Sequence, residues 1–245
     1  MDLTKTIWTE EKYNEFLIYL NSKQDRVWDI EKHSKILSLP TDKVIGIKTP
    51  ILREIAKEIA MGDYKEFLNQ KPNDIYEEKI IRGLVISYLK KVDYKEIEKY
   101  LYDFYKTYVD SWAVCDVVVG SLKIINKHRE EYFDFIKEWH LSSNPWLIRV
   151  QLVSFIDYYF DDEYIDKVLD ICKKVKSDEY YVKMSLAWLL SILFIKQREK
   201  TYKFLIDNRD SFDTWTYNKT IQKIRESLRV SQEDKESIKN LKKRD

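Results

Sequence analysis

Asn144-Pro145-Trp146-Leu147-Ile148-Arg149-Val150 is the clearest helix start in the chain. Asparagine can accept the orphan N–H groups of a first helical turn. The proline beside it has its φ already at the helical value and no N–H to lose. The same punctuation recurs on both sides. Thr49-Pro50 opens a helix through Ile59, Asn73 or Asp74 opens one that runs to Tyr88, and Asp110 or Ser111 precedes a long apolar stretch to Ile125. Ser177 or Asp178 and then Asp213 or Thr214 open the next two. The later starts fall near residues 75, 109, 144, 178 and 214, about 34 to 36 apart. Each interval holds a second helix, over 94–105, 130–140, 163–175 and 199–206. A helix pair recurring at this period predicts an all-α fold: an α-solenoid of HEAT-like antiparallel pairs, read as a single domain over residues 1–245. The tetratricopeptide pattern of Trp, Leu-Gly and Tyr at fixed offsets is not visible, so the HEAT or armadillo class fits better.

Composition agrees. Four Gly and four Pro in 245 residues are about 3% of the chain, against roughly 12% in average proteins. Sandwiches, barrels and dinucleotide-binding sheets need more turn and loop residues than that. Aromatic residues at 14% supply apolar surface enough to argue against disorder. The formal net charge is +1, which speaks against a protein that coats nucleic acid by bulk charge but leaves room for a basic face. No run approaches the ~18 apolar residues of a membrane span, and Met1 to Trp8 carries no apolar signal core. Cys115 and Cys172 form no CxxC pair, which fits a reduced cytoplasmic setting. His33, His128 and His140 are scattered without ligand spacing, so no metal site is expected. A solenoid with polar ends is expected to be a monomer.

In a solenoid the first helices of successive pairs stack side by side and line the concave surface, so side chains far apart in sequence can converge. Ser111 to Lys127, SWAVCDVVVGSLKIINK, reads as one such helix, with Trp112 and Asp116 four apart on one face. A mid-helix Asp among Val114, Cys115 and Val117 to Val119 carries a desolvation cost unless paired. Either it is structural, capping a neighbour or holding a buried ion pair, or it is a carboxylate kept in a cleft. Arg149 sits near a helix N-terminus, where the macrodipole does not favour it. It either snorkels out of the core or presents its fork to Asp116 or to a phosphate. Trp188, in YYVKMSLAWLL, is either core or part of an aromatic platform with Trp112.

These residues carry a resemblance. The chain resembles the AlkD-like family of HEAT-repeat DNA alkylation repair proteins. The likeness runs through ILREIAKEIA after Gly46-Ile47-Lys48-Thr49-Pro50, DSWAVCD, the helix with Arg149, YYVKMSLAWLL and YNKTIQKIRESLRVS. The family's Trp-x-x-x-Asp pair matches Trp112 and Asp116, its arginine one repeat later matches Arg149, and a second tryptophan matches Trp188. Two places depart: Ala113 where some members have a second Trp, and Ser191 where some have Arg. The stretch from Phe155 to Tyr180 is also acidic.

The resemblance implies a concave DNA-binding groove and a monofunctional glycosylase without cofactor. Such an enzyme excises N3- and N7-alkylated purines, 3-methyladenine and 7-methylguanine, from duplex DNA in base excision repair. Asp116 is then the carboxylate that stabilises the sugar cation, Trp112 and Trp188 pack on sugar and lesion, and Arg149 holds a phosphate. Lys48, Arg53, Lys123, Lys219, Lys223 and Arg225 are the expected contacts to the duplex backbone. Lysine-rich helix faces are more often simply solvated. The alternatives are a non-catalytic solenoid that binds branched or distorted DNA, and a protein-interaction scaffold.

Overall fold

A computed structural model describes residues 1–244. Among them the chain forms fourteen α-helices, several short 3-10 turns and no strand. The expected all-helical solenoid class is what the chain adopts. Helix pairs succeed one another, with first members beginning at residues 112, 145, 180 and 214. The chain divides into two compact units, one ending at Ile124 and the other beginning at Ile125.

The first unit contains α1 (Glu10–Asn21), α2 (Ile30–Leu37), α3 (Thr49–Met61), α4 (Tyr64–Asn69), α5 (Tyr76–Tyr88), α6 (Tyr94–Thr107) and α7 (Trp112–Val119). Helix α5 is its axis and packs against α3, α6 and α7. Every residue from Tyr76 to Ile86 is buried, including four that are charged. Each of the four has partners, as burial requires. Glu77 accepts the backbone N–H groups of Ile45 (2.9 Å), Gly46 (2.7 Å) and Ile47 (3.2 Å). Glu78 accepts from the Asn73 N–H at 2.8 Å and the Tyr13 hydroxyl at 3.1 Å. Lys79 pairs with Asp110 and Asp74. Arg82 donates to the carbonyls of Leu68 and Gln70, both at 2.5 Å, and so closes the end of α4. Gly83 lies at the crossing with α7, where a Cβ would meet Val118 Cγ2 at 2.4 Å and Phe104 Cζ at 2.7 Å.

The second unit contains α8 (Arg129–Ile136), α9 (Pro145–Tyr158), α10 (Ile165–Cys172), α11 (Tyr180–Lys196), α12 (Arg198–Asp207), α13 (Thr214–Glu226) and α14 (Gln232–Lys239). Here α11 is the axis, packed against α9, α13, α12 and α10. The device used by Arg82 recurs. Gln151 of α9 donates to the Ile136 and Lys137 carbonyls at the end of α8, at 2.7 and 2.8 Å. Tyr217 of α13 donates to the Leu205 carbonyl near the end of α12 at 2.8 Å. A polar side chain on a first helix thus satisfies carbonyls that the preceding second helix leaves orphaned. Both cysteines are fully buried, and burial pushes the Cys172 thiol well above its ordinary value.

Several boundaries differ from the sequence expectation. The helix expected over 111–127 stops at Val119, and a 3-10 segment takes over at Lys123–Lys127. Three β-branched valines and Gly120 weaken helix propagation there. Ser121 then turns its hydroxyl back onto the Val117 carbonyl at 2.6 Å. The helix expected over 130–140 ends at Ile136, followed by a 3-10 turn at Trp139–Leu141. The cap expected from Thr49 falls on Lys48, which makes no side-chain cap bond.

Candidate nucleic-acid interface

Helix α7 begins where Ser111 accepts the Val114 N–H at 3.3 Å. Ala113, Val114, Cys115, Val118 and Val119 point into the core, which leaves Trp112, Asp116 and Val117 half-buried on the open edge. The four-residue spacing therefore does place Trp112 and Asp116 on one accessible face, with Asp116 not sealed inside. The Trp112 indole is fixed: its Nε1–H donates to the Ile36 carbonyl at 3.2 Å, in the last turn of α2. Helix-end carbonyls lack an intrahelical donor, so the indole supplies one and gains a set orientation.

The basic residues of the first unit divide into two kinds. Lys48 is exposed and forms an ion pair with Asp25 at 2.7 Å, and the lysine's hydrogen bond holds that carboxyl below its usual value. Lys123 is exposed on the 3-10 segment after α7. Arg53 has structural work. One guanidinium nitrogen donates to the Tyr88 hydroxyl at 3.0 Å and to Ser121 Oγ at 2.8 Å, which ties α3 to α5 and to the turn after α7. Sequence reasoning had no signal for this, because the partners lie 35 and 68 residues away.

In the second unit Arg149 is only 4% exposed, and one guanidinium nitrogen donates to the Tyr181 carbonyl at 2.8 Å in the first turn of α11. This explains how an arginine is held near the start of α9 against the helix dipole. Trp188 is half-buried rather than core. With Tyr181, Met184, Ile192 and Ile195 it forms the half-buried stripe of α11, at helical spacing. Lys219 and Lys223 lie one turn apart on α13. Lys223 is held below its ordinary value, first by burial and then by the positive charges of Lys219 and Arg149, with Glu226 opposing. The fold thus brings both Arg149 and Lys219 into electrostatic reach of Lys223. Arg225 lies two residues beyond Lys223, off that stripe, with its Nε buried and without a hydrogen-bond partner.

Three of the eight acidic residues over 155–180 form close ion pairs with lysine or arginine. Asp161 pairs with Arg129, Asp166 with Lys200 at 2.8 Å, and Asp170 with Lys173 and Lys174 at 2.7 and 2.5 Å. Among the described residues no group of three His, Cys, Asp or Glu could hold a metal ion, and no helix is long and apolar enough to cross a membrane.

A family model described as DNA alkylation repair enzyme matches residues 20–224 of the chain. Comparison with curated proteins and with solved structures gives no match.

Proposed function

We propose that this chain, which belongs to the DNA alkylation repair enzyme family, is a monofunctional DNA glycosylase that removes N3- and N7-alkylated purines from duplex DNA. The observation that supports this most directly is the setting of Asp116. Glu77 shows what a structural carboxylate looks like in this fold, fully buried and filled with three N–H donors. Asp116 differs in place, half-buried rather than buried, on a helix whose other side is core and one turn from an indole held by Ile36.

Alkylation at N3 or N7 leaves the purine cationic and already a good leaving group. As the bond from C1′ to the base nitrogen breaks, its electron pair returns to the purine and cancels that charge. The deoxyribose becomes an oxocarbenium ion. A fixed carboxylate beside C1′ stabilises this cation and orients a water, whose oxygen bonds to C1′ while its proton passes through Asp116 to solvent. The products are the free alkylpurine and an abasic sugar. The sugar passes from the purine nitrogen to water with no change of oxidation state, so the step calls for no electron or group carrier. Trp112 and Trp188 pack on sugar and lesion, attracted by the positive base.

Arg149 holds phosphate, with Lys219 and Lys223 of α13 adding positive charge for the same backbone. Lys48 and Lys123 contact the backbone farther along. Arg53, beside its bonds to Tyr88 and Ser121, and Arg225 are proposed contacts too. The protein acts as a monomer, in the cytoplasm.

The test is chromatography of bases freed from methylated duplex DNA. Asp116→Asn is expected to slow release about 100- to 1,000-fold with the fold intact, the scale of losing a transition-state electrostatic partner. An unchanged rate would remove Asp116 from the mechanism. No release by the wild type, together with tight binding to branched DNA, would replace the glycosylase with a non-catalytic binder.

A further inference from the structure

A row of aromatic rings runs along the first turns of α9, α11 and α13. Trp146 stacks on Tyr181, with centroids 5.6 Å apart and planes at 29°. Tyr181 meets Tyr180 edge-on at 5.2 Å, and Tyr180 lies 5.7 Å from Trp215. Four rings from three helices therefore touch in sequence, all inside the second unit. Large aromatics normally go to the core, yet Tyr180 is 54% exposed, Trp215 37%, and the other two are half-buried. Cations lie along the row, two at its Trp215 end and one at Tyr181. Lys183 and Lys219 place their Nζ 6.0 and 5.7 Å from the Trp215 ring, and the Arg149 guanidinium lies 5.8 Å from the Tyr181 ring. Lys183 also shares loose ion pairs, at 3.7 and 3.4 Å, with Asp178 and Asp213.

Solvent-exposed rings with mobile ammonium groups over them offer two things at once, a stacking platform once a lysine swings aside and a phosphate partner in that lysine. A duplex can use only the second, because its bases are already stacked on one another. An unpaired strand uses both, and base–aromatic stacking tolerates any sequence since every base has a π-face. We propose that the row Trp146, Tyr181, Tyr180 and Trp215 binds an unpaired stretch of DNA, with bases on the exposed rings and phosphates against Lys183 and Lys219. The choice of DNA as the polymer rests on the function proposed above. The preference for an unpaired strand comes from the rings alone.

Fluorescence anisotropy of the full chain, with a labelled mixed-sequence single strand and a duplex of equal length, tests this beside the base-release assay. The double variant Tyr180→Ala/Trp215→Ala is expected to weaken single-strand binding about 10- to 100-fold, the scale of losing one or two stacked bases. Duplex affinity and base release stay at the wild-type level. Tyr180→Phe/Trp215→Phe keeps ring faces and retains most of the binding. Both positions are solvent-facing, and circular dichroism confirms that the helices persist. Single-strand binding unaffected by the alanines, or duplex binding that falls in step, would overturn the proposal. Ring-dependent binding without base release would leave this surface standing and sink the glycosylase. Base release without ring-dependent binding would do the reverse.

Discussion

Replacing Gly83 by alanine probes whether α7 must stay where α5 holds it. The added methyl would sit 2.4 Å from Val118 Cγ2 and 2.9 Å from Cγ1, against the ~3.5 Å at which carbon atoms rest. About 1 Å of room has to be found. Val118 is a short, stiff side chain with few rotamers, so the body of α7 moves, and Trp112 and Asp116 move with it. Overpacking of this kind costs about 1–3 kcal/mol, offset by the ~1 kcal/mol that alanine gains over glycine inside a helix. A net loss near 1 kcal/mol is expected in urea denaturation. If the proposed glycosylase site is right, the effect on base release is larger, since a misplacement of ~1 Å typically costs about 100-fold in rate. Single-turnover base release from methylated duplex reads it directly. Adding Val118→Ala removes both crowded methyls and leaves only the Phe104 ring end, on α6, to give way, so the double variant is expected to regain part of the lost rate. A Gly83→Ala protein with full activity, or a double variant no faster than the single, would refute the idea that this crossing positions the site.

Two further outcomes follow from the buried charges of α5. Glu77→Ala strands three buried N–H groups, at Ile45, Gly46 and Ile47, and is expected to cost on the order of 4 kcal/mol. Glu77→Gln keeps an acceptor for Gly46 and Ile47 and is expected to cost less than half as much; equal losses in the two denaturation curves would disprove the cradle. Burial, the largest influence, raises the Glu78 carboxyl above its ordinary 4.5 despite its hydrogen-bond donors and the nearby Arg82 charge. The native state therefore holds that proton more tightly than the unfolded chain, so its contribution to stability declines as pH climbs from about 4.5 through the folded value. The stability difference between wild type and Glu78→Gln should change over that window and flatten above it. A pH-independent difference would contradict the assignment.

Local chemistry made much of the architecture legible. The caps at Ser111, Asn144 and Asp213 are present as side-chain bonds to Val114, Trp146 and Thr216. Each sits next to apolar residues at helical spacing, so local preference and packing agree. Trp112 and Asp116 were readable as one face for the same reason. Groups whose partners are remote were not readable. Glu77, Glu78, Lys79 and Arg82 look like a solvated stripe, yet they are buried because loop amides and helix-end carbonyls arrive from elsewhere in the chain. Arg53 reads as a surface cation and is a clasp between helices. Nor did Gly120 and Ser121 announce that the valine run would end in a 3-10 turn. The aromatic row did leave a trace: Trp146, Tyr181 and Trp215 each follow a helix start, at intervals of 35 and 34 residues. That signal becomes visible only once the repeat is laid in register.

Both native cysteines lie sealed among apolar side chains. Thiol reagents attack the thiolate, and neither sulfur offers one to solvent. A single cysteine introduced on the surface would therefore take a maleimide dye alone, with the natural pair left in place. A fluorophore at the Lys127 position could follow the encounter with nucleic acid in real time from one known address, and no cysteine-free background would have to be built first.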